Sequence, residues 1–113
     1  MAFSKKDMFE ERYSHLADYA KALSHPARIA ILALLAKRNT CICGEIVEVM
    51  PLAQSTVSQH LRELRKAGLV VGEIDGPRSC YCVNRAKISE LSALFSDLFG
   101  SLDEGCNAAD CCA

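Results

Sequence analysis

The stretch from Ala53 to Gly68 constrains this chain more than any other. Val57, Leu61 and Leu64 recur at i, i+4 and i+7, a spacing that sets them on one side of an α-helix and requires a neighbour to bury them. Gly68 ends the run, as glycine does just past a helix C-terminus. Off the stripe stand Ser55, Thr56, Ser58, Gln59, Arg62 and Lys66. Such a helix forms one wall of a domain and turns a polar outer face toward solvent or a partner.

The rest of the chain supplies the other walls. Phe9, Tyr13, Leu16, Ala20 and Leu23 predict an amphipathic helix over roughly Lys5 to Leu23. Ser24-His25-Pro26 breaks it and starts a second helix, proline being suited to the first helical turn. From Ala27 to Ala36 almost every residue is apolar, which predicts a helix at the centre of the domain. A short helix is expected from about Cys43 to Val49, limited by Pro51. After Gly68, Leu69–Ile74 and Ser79–Val83 read as strands around the turn residues Asp75-Gly76-Pro77-Arg78. A last helix, Lys87 to about Leu102, carries Ile88, Leu91, Leu94, Phe95, Leu98 and Leu102 on one face. The expected order is α-α-α-α-β-β-α, mainly α with a small β-hairpin. Residues 1–103 are expected to form one domain and 104–113 a flexible, cysteine-rich tail.

A chain of 113 residues holds one domain. Its net charge of −1 argues against a polybasic coat for nucleic acid or membrane, although a basic face can hide inside a neutral total. Residues 54–85 carry five basic and three acidic side chains, and residues 86–113 one basic and five acidic. The N-terminal residues lack the apolar stretch of a secretion signal, and the longest apolar run, Ile29 to Ala36, is too short to span a bilayer. These features place the expected protein in the cytoplasm. There thiols stay reduced, and its seven cysteines are expected to bind metal, act in redox chemistry or pack as small hydrophobes. An odd number also excludes a fully paired intramolecular disulfide framework.

A short helix, a tight turn and a second helix with a small-polar outer face is the layout of a helix-turn-helix. A helix lying in the major groove needs groups that bond base edges without bulk. Gln pairs with adenine, Arg with guanine, and Ser or Thr with either. Gln54, Ser55, Thr56, Ser58, Gln59 and Arg62 provide that set, although a Ser/Thr/Gln-rich face also describes an ordinary solvated helix. The hairpin that follows would be a wing, with Arg78 at its tip set to meet phosphate or the minor groove.

The segments ALSHPARIAILALLAKRN, PLAQSTVSQHLRELRKAGLVVGEIDG and CYCVN resemble the ArsR/SmtB family of metal-responsive winged-helix repressors. The likeness runs from about Leu16 to Leu102. Its most specific part is Ser55-x-x-Ser58-x-His60-Leu61-x-x-Leu64 followed by Ala67-Gly68-Leu69-Val70. The resemblance implies a homodimer built from the first and last helices, bound to a palindromic operator on double-stranded DNA and released by an effector. Their surplus apolar surface fits such an interface.

The resemblance also sorts the cysteines. The family's Asp/His site on the last helix is absent, because the histidines are His15, His25 and His60. His60, inside the motif, is expected to serve structure or DNA contact rather than ligation. Cys41-Ile42-Cys43 resembles the family's Cys-x-Cys sensor pair, and its thiolates suit soft ions: As(III) or Sb(III) first, with Cd(II), Pb(II) or Zn(II) as alternatives. Ile46 stands where arsenic sensors often carry a third thiolate. Cys106, Cys111 and Cys112 offer further thiolates on the tail, or are adventitious. Cys80 and Cys82 share one strand face opposite Tyr81 and Val83, as ligands or as small strand residues. The function so implied is a repressor that drops its operator when a thiophilic metalloid binds, needing no obligatory cofactor. A repressor that senses oxidants or reactive sulfur is the rival. No Cys-x-x-Cys within a βαβ pattern, phosphate loop or carboxylate constellation is visible, so an enzyme is not expected.

Overall fold

The computed structural model describes residues 8–38, 50–73 and 80–105. These residues form α1 (Glu11–Ala22), α2 (Pro26–Arg38), α3 (Gln54–Lys66), β1 (Val70–Glu73), β2 (Cys80–Val83) and α4 (Arg85–Asp103). The expected short helix at Cys43–Val49, the turn residues 75–78 and the cysteine tail from Cys106 lie outside the described residues.

Helix ends follow local chemistry. At the start of α2, Pro26 takes the first helical position and the His25 imidazole caps the helix, Nδ1 accepting from the Ala27 amide at 3.0 Å. The last helix begins two residues before the expected Lys87, because Asn84 caps it: its side chain accepts from the Lys87 amide at 3.3 Å. α3 ends in a Schellman motif. Gly68 adopts φ +83°, its amide donates to the Arg65 carbonyl at 2.9 Å, and the Leu69 amide donates to that of Leu64 at 3.0 Å. This turn feeds the chain directly into β1. The strands pair antiparallel, Val70 opposite Val83 and Gly72 opposite Tyr81.

One core joins every element. Tyr19 and Ala22 of α1, Ile31 and Leu35 of α2, Val57, Leu61 and Leu64 of α3, Leu69 and Val70, Tyr81 of β2 and Leu91 of α4 form a single buried cluster. The Tyr19 hydroxyl also donates to Glu90 at 3.1 Å, tying α1 to α4. That bond, with the nearby Lys87 ammonium, holds the Glu90 carboxyl below its ordinary pKa.

One expectation about apolar faces needs correction: the helix from Ala27 onward is not buried all round. It buries Ala27, Ile31 and Leu35 but leaves Ile29 47 % exposed, beside a groove of about 370 Å³ lined by Leu32, Ala33, Ala36, Val83 and Ile88. α1 shows the surplus apolar surface expected of the first and last helices. Tyr19 and Ala22 face the core, whereas Phe9, Tyr13 and Ala20 are exposed and Leu16 and Leu23 half-buried. The α1 stripe is turned outward beside α4, where Tyr13, Leu16, Leu94 and Leu98 line a shared cleft. On α4 only Leu91 is buried; Phe99 and Leu102 are 57 % and 67 % exposed.

Candidate nucleic-acid interface

α3 divides its residues as its sequence requires. Val57, His60, Leu61 and Leu64 are buried; Gln54, Ser55, Thr56 and Gln59 are exposed; Ser58 and Arg62 are half-buried. Six of the seven expected base- or phosphate-contacting residues therefore lie on this one helix, none of them fully buried. The seventh, Arg78, lies outside the described residues. No side chain caps the start of α3, where Ala53 takes the N-cap position.

The outer face is also ordered. Arg62 donates to the Gln59 side-chain oxygen at 3.1 Å, and the Gln59 amide nitrogen donates to Glu63 at 3.3 Å. This chain holds the Gln59 amide and Arg62 guanidinium in fixed relation, the two groups best suited to adenine and guanine edges. Arg65 reaches from the last turn of α3 to the Gly72 carbonyl of β1 at 3.4 Å, linking helix to wing. Gly72 itself has φ +121°, and a Cβ there would stand 2.2 Å from the Cys80 carbonyl oxygen. The hairpin closes this tightly only because residue 72 has no side chain.

Behind α3 lies a group that sequence reasoning missed. His60 is 8 % exposed, and its Nδ1 accepts from Arg28 Nε at 3.2 Å. The His25 ring sits 4.4 Å from the His60 ring, centroid to centroid. Burial first, then the neighbouring His25 and Arg28, push the His60 pKa below the ordinary histidine value. The structural role expected for His60 is thus what its burial and bonding give it. The signal for Arg28 was available: it is the one charged residue between Ala27 and Ala36.

The expected metal ligands Cys41, Cys43, Cys106, Cys111 and Cys112 lie outside the described residues. Among the described residues, no group of three or more His, Cys, Asp or Glu side chains is gathered as a metal site. On β2, Tyr81 points into the core and Cys80 and Cys82 are half-buried. Both cysteines are disulfide-bonded, where reduced thiols were expected. Among the described residues no helix is long and apolar enough to cross a membrane.

Comparison with known proteins agrees with this geometry. Residues 25–71 match the family model "Bacterial regulatory protein, arsR family". The chain is 34% identical over 89 residues to an uncharacterized HTH-type transcriptional regulator of Methanocaldococcus jannaschii, covering 78% of this chain and 99% of the relative. It is 30% identical over 94 residues to the arsenical resistance operon repressor of Staphylococcus xylosus, covering 83% and 88%. Among solved structures, the crystal structure of M. tuberculosis Rv0081 matches with a TM-score of 0.60 at 34% identity, over 83% of this chain and 94% of that one. An ArsR-like transcriptional regulator from Rhodococcus shares the fold, with a TM-score of 0.64 at 23% identity over 80% and 85%. A buried-stripe helix with an ordered polar face, a wing hairpin locked to it and these relatives together identify the chain as a member of the arsR family, a winged helix-turn-helix, DNA-binding transcriptional regulator and not an enzyme.

Proposed function

We propose that the protein is a cytoplasmic repressor that binds a palindromic operator as a two-fold homodimer and releases it when a thiophilic metalloid, As(III) or Sb(III), joins its cysteine thiolates. The observation that carries the DNA half is the division of α3, whose buried stripe packs into the core while Gln54, Ser55, Thr56, Gln59 and Arg62 lie off that stripe. With Ser58 and the wing's Arg78 they are the proposed DNA contacts. The outward apolar stripe of α1 and α4, from Tyr13 to Leu98 and Leu102, supports the dimer. A two-fold dimer brings two copies of α3 to half-sites roughly 34–36 Å apart, one turn of DNA.

The effector half rests on chemistry. Cys41 and Cys43 follow closely on α2 and precede α3, so thiolates drawn onto one ion there pull on the helix-turn-helix itself. Cys106, Cys111 and Cys112 are the proposed source of the remaining ligands. Soft thiolates favour soft ions, and the similarity to an arsenical resistance operon repressor supports the metalloid. Coupling of about 1–3 kcal/mol between effector and operator is sufficient for release. The test is fluorescence anisotropy on operator DNA with and without As(III). Serine at positions 41, 43, 106, 111 and 112 should abolish the response; a response that survives all five changes overturns the metalloid reading.

One observation favours a second reading, release by thiol oxidation: Cys80 and Cys82 of the wing are disulfide-bonded. Diamide or a persulfide donor releasing the operator where As(III) does not would decide for it.

A further inference from the structure

The buried stripe of α3 is apolar except at one position. Packing of Val57, Leu61 and Leu64 holds the helix against the core, and the hydrophobic effect behind it is non-directional. His60 is different. Its Nδ1 accepts from Arg28 Nε at 3.2 Å, and this bond has a direction. The same guanidinium donates through Nη1 to the carbonyls of Lys21 and Ala22, 3.3 Å each. Those oxygens belong to the last turn of α1, where the Lys21 carbonyl also accepts from the Ser24 amide and hydroxyl. One side chain therefore ties the end of α1, the start of α2 and the middle of α3. His25, whose ring packs on His60, holds the start of α2 by capping the Ala27 amide.

We propose that His60 is a positioning residue for DNA recognition: with Arg28 and His25 it pins the rotation of α3 so that Gln59 and its neighbours meet the groove, and the pin holds only while the His60 ring is neutral. Its Nδ1 serves as an acceptor, so a proton there removes the bond it makes. A proton on His60 also places a second cation against Arg28. Among the described residues, the titratable and charged groups acting on His60 are His25 and Arg28, while α1 contributes carbonyl oxygens to Arg28. Burial and these two neighbours favour the neutral ring, which keeps the pin closed at neutral pH. Acidification opens it, and DNA affinity falls.

This inference rests on α3 being the helix that reads DNA, which Gln59→Ala checks separately. The probe is a duplex selected by the wild-type protein from a random-sequence library at pH 7.5, with a scrambled duplex as control. Dissociation constants are measured from pH 7.5 to 5.5 for the wild type, His60→Asn and His60→Leu. Asparagine presents an oxygen acceptor where Nδ1 stood and does not titrate. The wild type should lose about tenfold of its preference for the selected duplex on acidification, within the roughly 5–150-fold range typical of coupled equilibria. His60→Asn should bind as the wild type at pH 7.5 and lose much less at pH 5.5; His60→Leu should bind weakly throughout. An Asn variant that follows the wild-type pH profile overturns the proposal even if the Leu variant fails to fold. So does a folded Leu variant with wild-type affinity and preference.

Discussion

The two glycines beside α3 both have positive φ, but they should respond very differently to alanine. At Gly68 (φ +83°) an added Cβ meets only the Lys87 side chain, at 3.5–3.7 Å. Its cost is the left-handed backbone alone, roughly 1–2 kcal/mol for a residue with a Cβ. At Gly72 (φ +121°) the Cβ would lie 2.2 Å from the Cys80 carbonyl oxygen and 2.9 Å from the Tyr81 Cα. Both atoms are backbone of the partner strand, so no rotamer change relieves the contact. Strain at φ costs about 1–3 kcal/mol, and forcing the backbones apart adds about 1–3 kcal/mol, as overpacking does. Each strand has four residues, so a shift large enough to clear the contact disrupts the register around Tyr81. Gly72→Ala should therefore lose about 2–6 kcal/mol in urea unfolding, against about 1–2 for Gly68→Ala. Its amide exchange should rise in β1 and β2 before the helices. Equal losses in the two variants, or an unprotected hairpin in the wild type, would refute the close-approach argument.

Leu64, fully buried at the centre of the core, should cost about 2–5 kcal/mol as Leu64→Ala by denaturant melting; a loss below 1 would mean the α3 stripe is not packed as described. Gln59→Ala should leave stability unchanged but weaken DNA binding by about 1–3 kcal/mol at one base position, read by anisotropy against single-base variants of the site. Leu98→Glu with Leu102→Glu, both on the exposed stripe of α4, should halve the mass in sedimentation while far-UV circular dichroism is retained; an unchanged mass rules out the α1–α4 interface. Because the His60 pKa is depressed in the folded protein, the unfolded chain binds the proton more readily as pH falls below the ordinary histidine value of about 6.5. Stability should thus decline from there down to the folded pKa. His60→Asn should show less of this decline, and identical pH profiles of urea unfolding would remove His60 as its source.

Legibility of this fold in its sequence follows from what periodicity encodes. The α3 stripe and its Gly68 stop could be read to within a residue, since 3.6-residue spacing and a left-handed terminator act locally. Asn84 was an equally local signal, a favoured N-cap residue three positions before its hydrogen-bond donor. The Arg28–His60–His25 group was not readable in the same way. His60 falls on the apolar stripe by spacing, yet its partner stands 32 residues away, and no local rule pairs them.

Apolar faces are legible only in part for a related reason. Hydrophobic spacing reports that a face needs cover, not which surface covers it. Tyr13, Leu16 and Leu98 satisfy the helical pattern as well as Tyr19, Ala22 and Leu91 do, yet the second set packs inside this chain and the first lines an open cleft. A single 113-residue chain has limited interior, so the apolar faces of the four described helices cannot all face inward. The core takes the turns nearest α3, and the surplus collects along α1 and the C-terminal half of α4. This division links the two halves of the functional reading. α1 takes part in both: it offers the carbonyls of Lys21 and Ala22 to Arg28 at one end and exposes Tyr13 toward the other. If two subunits meet along α1 and α4 as proposed, a change in that contact would reach the Arg28 group through one short helix.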